Sequence, residues 1–509
     1  MVIVKFLITN SVPLNGGDET LLRSVIKSIS ARWADSEFTI LCNNRELCQK
    51  YLPDLHFASD LEFVTSDIEL QQVGELYRQA DIILSAPGGF LHDFYEIEDR
   101  LRGFEVGLSL GKPVILLGQS IGPFWKPESL KRIPQVLNKV TSICVRDEVS
   151  KSHLINCGVL PSKIRKTADA AFLWRDLEPE LFQPKNETIK TVGLCFRIWR
   201  VGDKTAVKET IKKAEGLCRY LLDDDQRNII FLSTCQGIPN YIDDSLIALE
   251  IVDWLPQKLK KRCSVNRKHY TPRQLIQTLG KCDAFIGMRL HCCILAMLGG
   301  TPAMGLGYER KTYEIFKQLN LESYQTEFEN GEDAWLQCAE RFLSDVGKIR
   351  TMLPKTLDKI CQRAKLNIDE IESSFSHKKI VTRSEQTNNT PNLEMISVKV
   401  SLVEDIVSIM PAENRYVLVD EEQIRETLPE SSQPIPFLER DGKYWGPPPN
   451  DMTAISELER LRQSGARFIV FVWSTFWWLD YYDGFNRYLR YNFPCVIEND
   501  RLIVFDLKI

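Results

Sequence analysis

Twice along this chain, short and nearly continuous apolar runs alternate with helical patterns, and each run ends in a loop of glycine, proline or polar residues. No other feature constrains the fold as much. Strands that are apolar on both faces belong to parallel sheets covered by helices on both sides. In the first stretch VIVKFLI, FTILC, DIILSAP, KPVILLGQ and SICVRD read as strands. The helix after VIVKFLI places Leu21, Leu22, Val25, Ile26 and Ile29 on one face. The polar segment 176–190 interrupts the pattern, which restarts with TVGLCFRI, NIIFLST, DAFIGM and PAMGLG.

The chain has 509 residues, beyond the size of one hydrophobic core. The expected architecture is α/β: two facing Rossmann-type domains with parallel sheets, over 1–180 and 190–345, plus a third small α/β domain. A polar helix at 351–375 is expected to pack back on the first domain. Residues 376–394 read by composition as a linker, and 395–509 as an accessory α/β module. The net charge of -5 argues against nucleic-acid binding. No apolar run approaches 18 residues, so no membrane span is expected. The N-terminal run has Lys5 as its one basic residue and no small-residue cleavage site, which argues against a signal peptide. The 14 cysteines include no Cys-x-x-Cys pair and sit in apolar runs, as Cys144 and Cys195 do. They read as free core thiols of a cytoplasmic protein, with no zinc site.

In open α/β sheets ligands bind beyond the carboxyl ends of the strands. The residues that follow each strand are therefore the candidates. After the first strand stand Asn15, Gly16, Gly17 and Asp18. Glycine lets a ligand approach the backbone and a helix start offers N–H groups to an anion; a tight turn with Asp18 as a cap competes with that reading. The motif is neither the dinucleotide fingerprint nor a P-loop. Gly88 and Gly89 open the backbone again, and His92 and Asp93 read as a solvated helix start. Gln119 lies in the glycine-bounded GQSIGPF. Arg146 and Asp147 read as a structural clamp, and Asp169 as a hinge contact or an acceptor for a sugar hydroxyl. In the second stretch Arg197 follows the strand VGLCF. Arg289, Leu290 and His291 stand between a strand and an apolar helix. That position favours anions, arginine matches phosphate or carboxylate in a bidentate way, and histidine trades protons near neutral pH. Tyr308 and Lys311 follow the next strand. Asp243, Asp244 and the run 223–225 read as solvated turns.

The runs NGGDETLL, APGGFLHD, GQSIGPF, VRDEVS with TADAAF, and IGMRLHCCILAMLGGTPAMGLGYERK stand in one order over residues 1–345. In that order they resemble the polysaccharide pyruvyl transferases. The resemblance implies a GT-B-like fold and transfer of a pyruvyl group from phosphoenolpyruvate to a sugar, forming a ketal. It implies that His291 is the general acid/base, that Arg289 and Leu290 contact the donor, and that Arg197 is a second arginine on its anionic groups. Asn15, Gly17, Asp18, Gly88, Gly89, Gln119, Asp169, Tyr308 and Lys311 are the further cleft candidates. Phosphoenolpyruvate and a sugar, lipid-linked or polymeric glycan are the expected partners; no metal or cofactor is implied. A GT-B glycosyltransferase using a nucleotide sugar, or a non-catalytic glycan-binding protein, would share the scaffold. The C-terminal module is rich in aromatic residues (Tyr444, Trp445, Trp473, Phe476, Trp477, Trp478, Tyr481, Tyr482). They read first as core packing, with a glycan-stacking or protein-docking surface left open.

Overall fold

The computed structural model describes residues 3–64, 67–184, 188–198, 204–239 and 241–381. It also describes residue 406 and 415–508, apart from 421–424, 426–427, 429–431, 441–442, 445, 449, 473–474 and 500–501. The chain forms two compact units, Met1–Thr382 and Arg383–Ile509.

The first unit holds two parallel sheets. The first sheet comprises β1 (Val4–Thr9), β2 (Ser36–Cys42), β3 (Phe57–Ser59), β4 (Ile82–Ser85), β5 (Gly88–Leu91), β6 (Val114–Ile121), β7 (Ser142–Val145) and β8 (Ile164–Lys166). Its order is β3-β2-β1-β4-β6-β7-β8, with β5 paired to β6. The second sheet comprises β9 (Thr191–Cys195), β10 (Asn228–Phe231), β11 (Cys263–Val265), β12 (Ala284–Gly287), β13 (Ala303–Gly307) and β14 (Gln325–Glu327). Its order is β11-β10-β9-β12-β13-β14. Every residue of β4, β7, β12 and β13 is buried, as strands covered on both faces must be. Both orders reverse direction at one point, between β1 and β4 and between β9 and β12. A crevice opens at such a switch point. The two carboxyl-end edges meet: the N–H of Gly16, beyond β1, donates to the Thr234 carbonyl beyond β10 at 3.2 Å. Two facing Rossmann-type domains of this kind make a GT-B-like architecture.

The expected polar helix is longer and amphipathic. It runs 50 residues, Glu332–Val381. One stripe of apolar residues, among them Trp335, Phe342, Ile349, Leu353, Leu357, Ile360 and Ile368, is buried, while most charged residues between them face outward. Buried Asn367 on this helix accepts from the Gly118 N–H at 2.9 Å and from the Thr167 hydroxyl at 3.0 Å, and donates to the Ala168 carbonyl at 3.0 Å. The helix thus ties down the segment that carries Asp169.

The second unit has a five-stranded mixed sheet. Gln433–Pro436, Arg415–Val419 and Phe468–Val472 are parallel neighbours, and Leu502–Asp506 and Cys495–Glu498 continue antiparallel. The helices Asp451–Gln463 and Asp483–Asn492 bury Leu458, Leu461, Phe485 and Leu489. Trp478 is fully buried against Phe437, ring centroids 5.9 Å apart, and the Tyr482 hydroxyl donates to the Pro448 carbonyl at 2.6 Å. These two rings are core. Trp445, Trp473 and the linker residues 382–394 lie outside the described residues, as does the side chain of Trp477. Among the described residues no helix is long and apolar enough to cross a membrane.

Candidate active site

The first sheet delivers its groups from the loops after β1, β4, β7 and β8. Asn15 caps the helix Gly16–Arg32, its Oδ1 accepting the Gly17 N–H at 3.0 Å. Glycine is required at both following positions. A Cβ on Gly16 would stand 2.3 Å from the Thr234 carbonyl oxygen, and one on Gly17 would stand 2.4 Å from His291 Nδ1. Asp18 follows in the first helical turn and accepts no hydrogen bond from another described residue. Gly89 lines a pocket beside Asp18, and a Cβ on Gly88 would stand 3.9 Å from Asp18 Oδ1. Gln119 is fully buried, and its Nε2 donates to the Ala86 carbonyl at 2.6 Å. It holds the β4 loop and does not face the cleft.

Arg146 and Asp147 do not form the expected clamp. Asp147 caps the next helix, accepting the Ser150 N–H at 2.7 Å, and takes the Ser120 hydroxyl at 2.8 Å. Arg146 makes its ion pair elsewhere and shares only the Ser120 hydroxyl with Asp147. It is 1% exposed, and donates from Nη1 to Asp169 at 2.6 Å and from Nε to Ser120 at 2.7 Å. Asp169 is fully buried, and its Oδ1 accepts the Ala171 N–H at 2.9 Å. Burial alone would raise its pKa. The charge of Arg146, reinforced by His291 and the Ala171 N–H, instead holds it well below the usual carboxylate range. Asp93 is not solvated either: it is buried and accepts the Lys126 N–H at 2.6 Å, as the start of a neighbouring helix demands.

The second sheet supplies cations. Arg289 ends the loop after β12 and stands at the N-cap of the helix Leu290–Leu298, with His291 in the first turn. Leu290 is buried in the core, so only its backbone N–H at the helix start is available to a ligand. Arg289 is held by Asp244, Nε to Oδ2 at 2.7 Å and Nη2 to Oδ1 at 2.9 Å. Asp244 is therefore no solvated turn; it is 6% exposed and is the arginine's fixed partner. Arg197, just beyond β9, donates to the Tyr308 hydroxyl at 2.8 Å, its guanidinium 4.8 Å from that ring. Lys311 pairs with Glu309. Burial would lower its pKa, but Glu309 and Tyr308 outweigh burial and raise it.

The two sets meet at His291. Its ring packs on Gly17, and its Nε2, which has no hydrogen-bond partner among the described residues, lies 3.7 Å from Asp169 Oδ2. Asp18 stands in the field of His291, Lys311, Arg146 and Arg289. Burial nevertheless pushes its pKa up, against the pull of those four groups. Gly17, Asp18, Asp169, Arg289, His291 and Lys311 thus come together, while Gln119 and the Leu290 side chain stay in the core. Sequence reasoning missed Arg146, Asp244 and Asn367 as site-forming residues. A polar residue in an otherwise apolar helical stripe was the one signal for Asn367.

A family model described as polysaccharide pyruvyl transferase matches residues 15–310. The amylovoran biosynthesis protein AmsJ of Erwinia amylovora is 30% identical over 265 residues, 50% of this chain and 62% of AmsJ. The chain thus matches less than two thirds of that relative's length. Among solved structures, HepE of Anabaena in complex with UDP and glucose superposes with a TM-score of 0.47 at 13% identity, over 74% of this chain and 100% of HepE. MnaA of S. aureus with UDP superposes with a TM-score of 0.46 at 10% identity, over 72% of this chain and 98% of that one.

Proposed function

The chain belongs to the polysaccharide pyruvyl transferase family, and from that premise we propose that it moves a pyruvyl group from phosphoenolpyruvate to a sugar of a surface or exopolysaccharide precursor. At the coarser level it is a transferase-like enzyme of a sugar-modifying family on a GT-B-like fold. The observation that carries the finer reading is the gathering of Arg197, Arg289 and Lys311 with His291 where the two switch points meet. A donor with both a phosphate and a carboxylate needs several fixed cations, and a C3 methylene that must become a methyl needs an acid beside it.

In this reading His291 gives its proton to C3 of the donor, and C2 becomes electrophilic. A sugar hydroxyl bonds to C2 as its proton leaves. The C2–O bond to phosphate then breaks, the electron pair departing with the phosphate, and the cations stabilise that charge. A second hydroxyl closes the ketal and its proton restores His291. Of the two hydroxyl protons released, one balances the proton now on C3 and the other leaves with phosphate. Asp169, held ionised by Arg146, faces His291 Nε2 at 3.7 Å and presents a fixed negative charge to the ring.

The second reading is a GT-B glycosyltransferase with a nucleotide-sugar donor; HepE and MnaA are both solved with UDP. A glycan-binding protein without catalysis is the third. One experiment separates them: phosphate release from phosphoenolpyruvate and nucleotide release from UDP-sugars, each measured with a panel of glycan acceptors. Acceptor-dependent phosphate release, lost in His291→Ala with the melting temperature preserved, is the expected result. Nucleotide release alone would replace this reading by the second, and turnover undiminished in His291→Ala would remove the assigned chemistry.

A further inference from the structure

Two carboxylates flank His291, and they stand in opposite situations. Asp169 is engaged: Oδ2 accepts from Arg146 and Oδ1 from the Ala171 N–H. Asp18 accepts no hydrogen bond from a described residue, and it lines a pocket at the switch point of the first sheet. The loop after β1 contributes Asn10 and Ser11 to that pocket, and the segment after β4 contributes Gly89, Phe90 and Tyr95. The cavity is ≈ 80 Å³, several times the roughly 10–15 Å³ that one water occupies. Two short polar side chains, a bare glycine backbone and two aromatic rings suit the edge of a sugar ring, whose hydroxyls need hydrogen bonds and whose C–H face packs on rings. The cations that suit the donor line the second sheet instead, across His291.

We propose that Asp18 is the base that takes the proton of the attacking acceptor hydroxyl, and that the pocket beside it is the acceptor sugar's subsite. The inference rests on the pyruvyl-transfer reading for the donor alone. His291 and Asp18 then divide the proton work. His291 protonates C3 and recovers a proton from the second hydroxyl. Asp18 takes the proton of the first hydroxyl as the O–C2 bond forms, and releases it with the departing phosphate. Groups that push two carboxylates apart in this way mark their separate roles, one fixed as an anion and the other exchanging protons. The titratable and charged groups in the electrostatic surroundings of Asp18 are His291, Lys311, Arg146 and Arg289, with Cys235 and Tyr241 on the second sheet's side. Burial of Asp18 outweighs the four basic groups and raises its pKa, so a base at this position works better as pH rises through that raised value.

The test is Asp18→Asn in the full chain, with methyl gluco-, galacto- and mannopyranosides and their polymers as acceptors. Acceptor-dependent kcat is expected to fall about 10²–10⁴-fold, with phosphoenolpyruvate affinity by calorimetry and melting temperature close to those of the wild type. The acidic limb of the kcat–pH profile should vanish in Asp18→Asn, and Asp18→Glu should restore part of the rate. Filling the pocket with Ser11→Leu should raise the KM for acceptor and leave donor affinity unchanged. A kcat within about threefold of wild type, a persistent acidic limb, or a loss of donor affinity equal to the loss of rate would overturn the proposal. If the wild type releases nucleotide from a UDP-sugar and no phosphate from phosphoenolpyruvate, the donor reading fails. The same comparison of Asp18→Asn with wild type, run on nucleotide release, then decides the role of Asp18.

Discussion

Each sheet of the first unit buries one arginine–aspartate pair where its strands end, and the two pairs are built differently. Asp244 meets Arg289 with both oxygens, through Nε and Nη2, so the carboxylate is used up and the arginine keeps Nη1 without a hydrogen bond among the described residues. Asp169 meets Arg146 with one oxygen, and that same oxygen lies 3.7 Å from the histidine of the facing domain. In the second sheet the aspartate serves the arginine. In the first sheet the arginine serves the aspartate. A buried pair of opposite charges is weak evidence for stability by itself. What it does supply is a fixed charge, and the geometry says which partner is being fixed: a guanidinium toward the donor's anionic groups in one sheet, a carboxylate toward His291 in the other.

The sharpest way to break this comparison is to neutralise the first pair. Asp169→Asn keeps the shape and removes the charge facing His291. On the proposed function, kcat should fall by about 10²–10⁴-fold, with donor affinity by calorimetry little changed. If Asp169→Asn lowered donor affinity and spared kcat, the two pairs would have to exchange roles.

Neutralising the second pair should show the mirror image. Asp244→Asn leaves Arg289 buried at 7% exposure with its compensating charge gone. Breaking such a pair costs about 3–5 kcal/mol of stability. Urea unfolding should show that loss, and the surviving enzyme should display a raised KM for phosphoenolpyruvate rather than a lowered kcat. A variant as stable as the parent would mean that solvent reaches this pair more freely than its burial indicates.

The glycines between the domains test whether His291 is placed as closely as the comparison requires. In Gly17→Ala the new Cβ meets the His291 ring, which must leave its present place beside Asp169. Misplacing a catalytic group by about 1 Å costs on the order of 10²-fold, so a loss of about 10- to 100-fold in kcat is expected. In Gly16→Ala the new Cβ meets the Thr234 carbonyl oxygen, which cannot turn aside. That variant should lose stability, by about 1–3 kcal/mol, as read by thermal unfolding. Equal behaviour of the two variants would show that the domains slide as one body and that no ring is pinned.

The strands and the loops that follow them were legible in the sequence because their signals are local. DIILSAP and DAFIGM are apolar but for a leading aspartate and Ser85, and the groups that face the cleft come within a few residues of where each run stops. Arg289 and His291 were visible for that reason. Asp244 was not. It stands 45 residues from Arg289, inside a polar run that looks like any solvated turn, and only the closing of β9 against β12 brings the two together. Arg146 stood beside Asp147, and adjacency suggested a pair. The two side chains meet only through the Ser120 hydroxyl, and the ionic partner of Arg146 is Asp169, beyond β8. The helix Glu332–Val381 was read from its charged residues, and its buried stripe, with Asn367 within it, shows only when the 3.6-residue period is followed from Trp335 onward. Pairings between distant segments carry no local mark.

The smallest effect separates the sheets by acid. The first sheet packs His153 from the helix Glu148–Asn156 under Gly122, with Nδ1 2.8 Å from the Ile121 carbonyl. Burial keeps this imidazole neutral and lowers its pKa to about 4, the carbonyl contact only partly opposing. The unfolded chain takes up that proton near the ordinary histidine value of about 6.5. The folded-state value is depressed, so the stability is fully present above about 6.5 and is lost as pH falls toward about 4, because the unfolded state then binds more protons. The slope from this one group is at most about 1.4 kcal/mol per pH unit. Urea unfolding at pH 7 and pH 5 should therefore show a loss that His153→Gln reduces, and the protection factors of β6 and β7 amides, corrected for the intrinsic exchange rate, should fall at the lower pH before those of β9 and β12 do. An identical pH dependence in His153→Gln would place the acid-sensitive group elsewhere in the fold. Simultaneous exchange from both sheets would show that they unfold as one unit, and the two buried pairs would then stand or fall together.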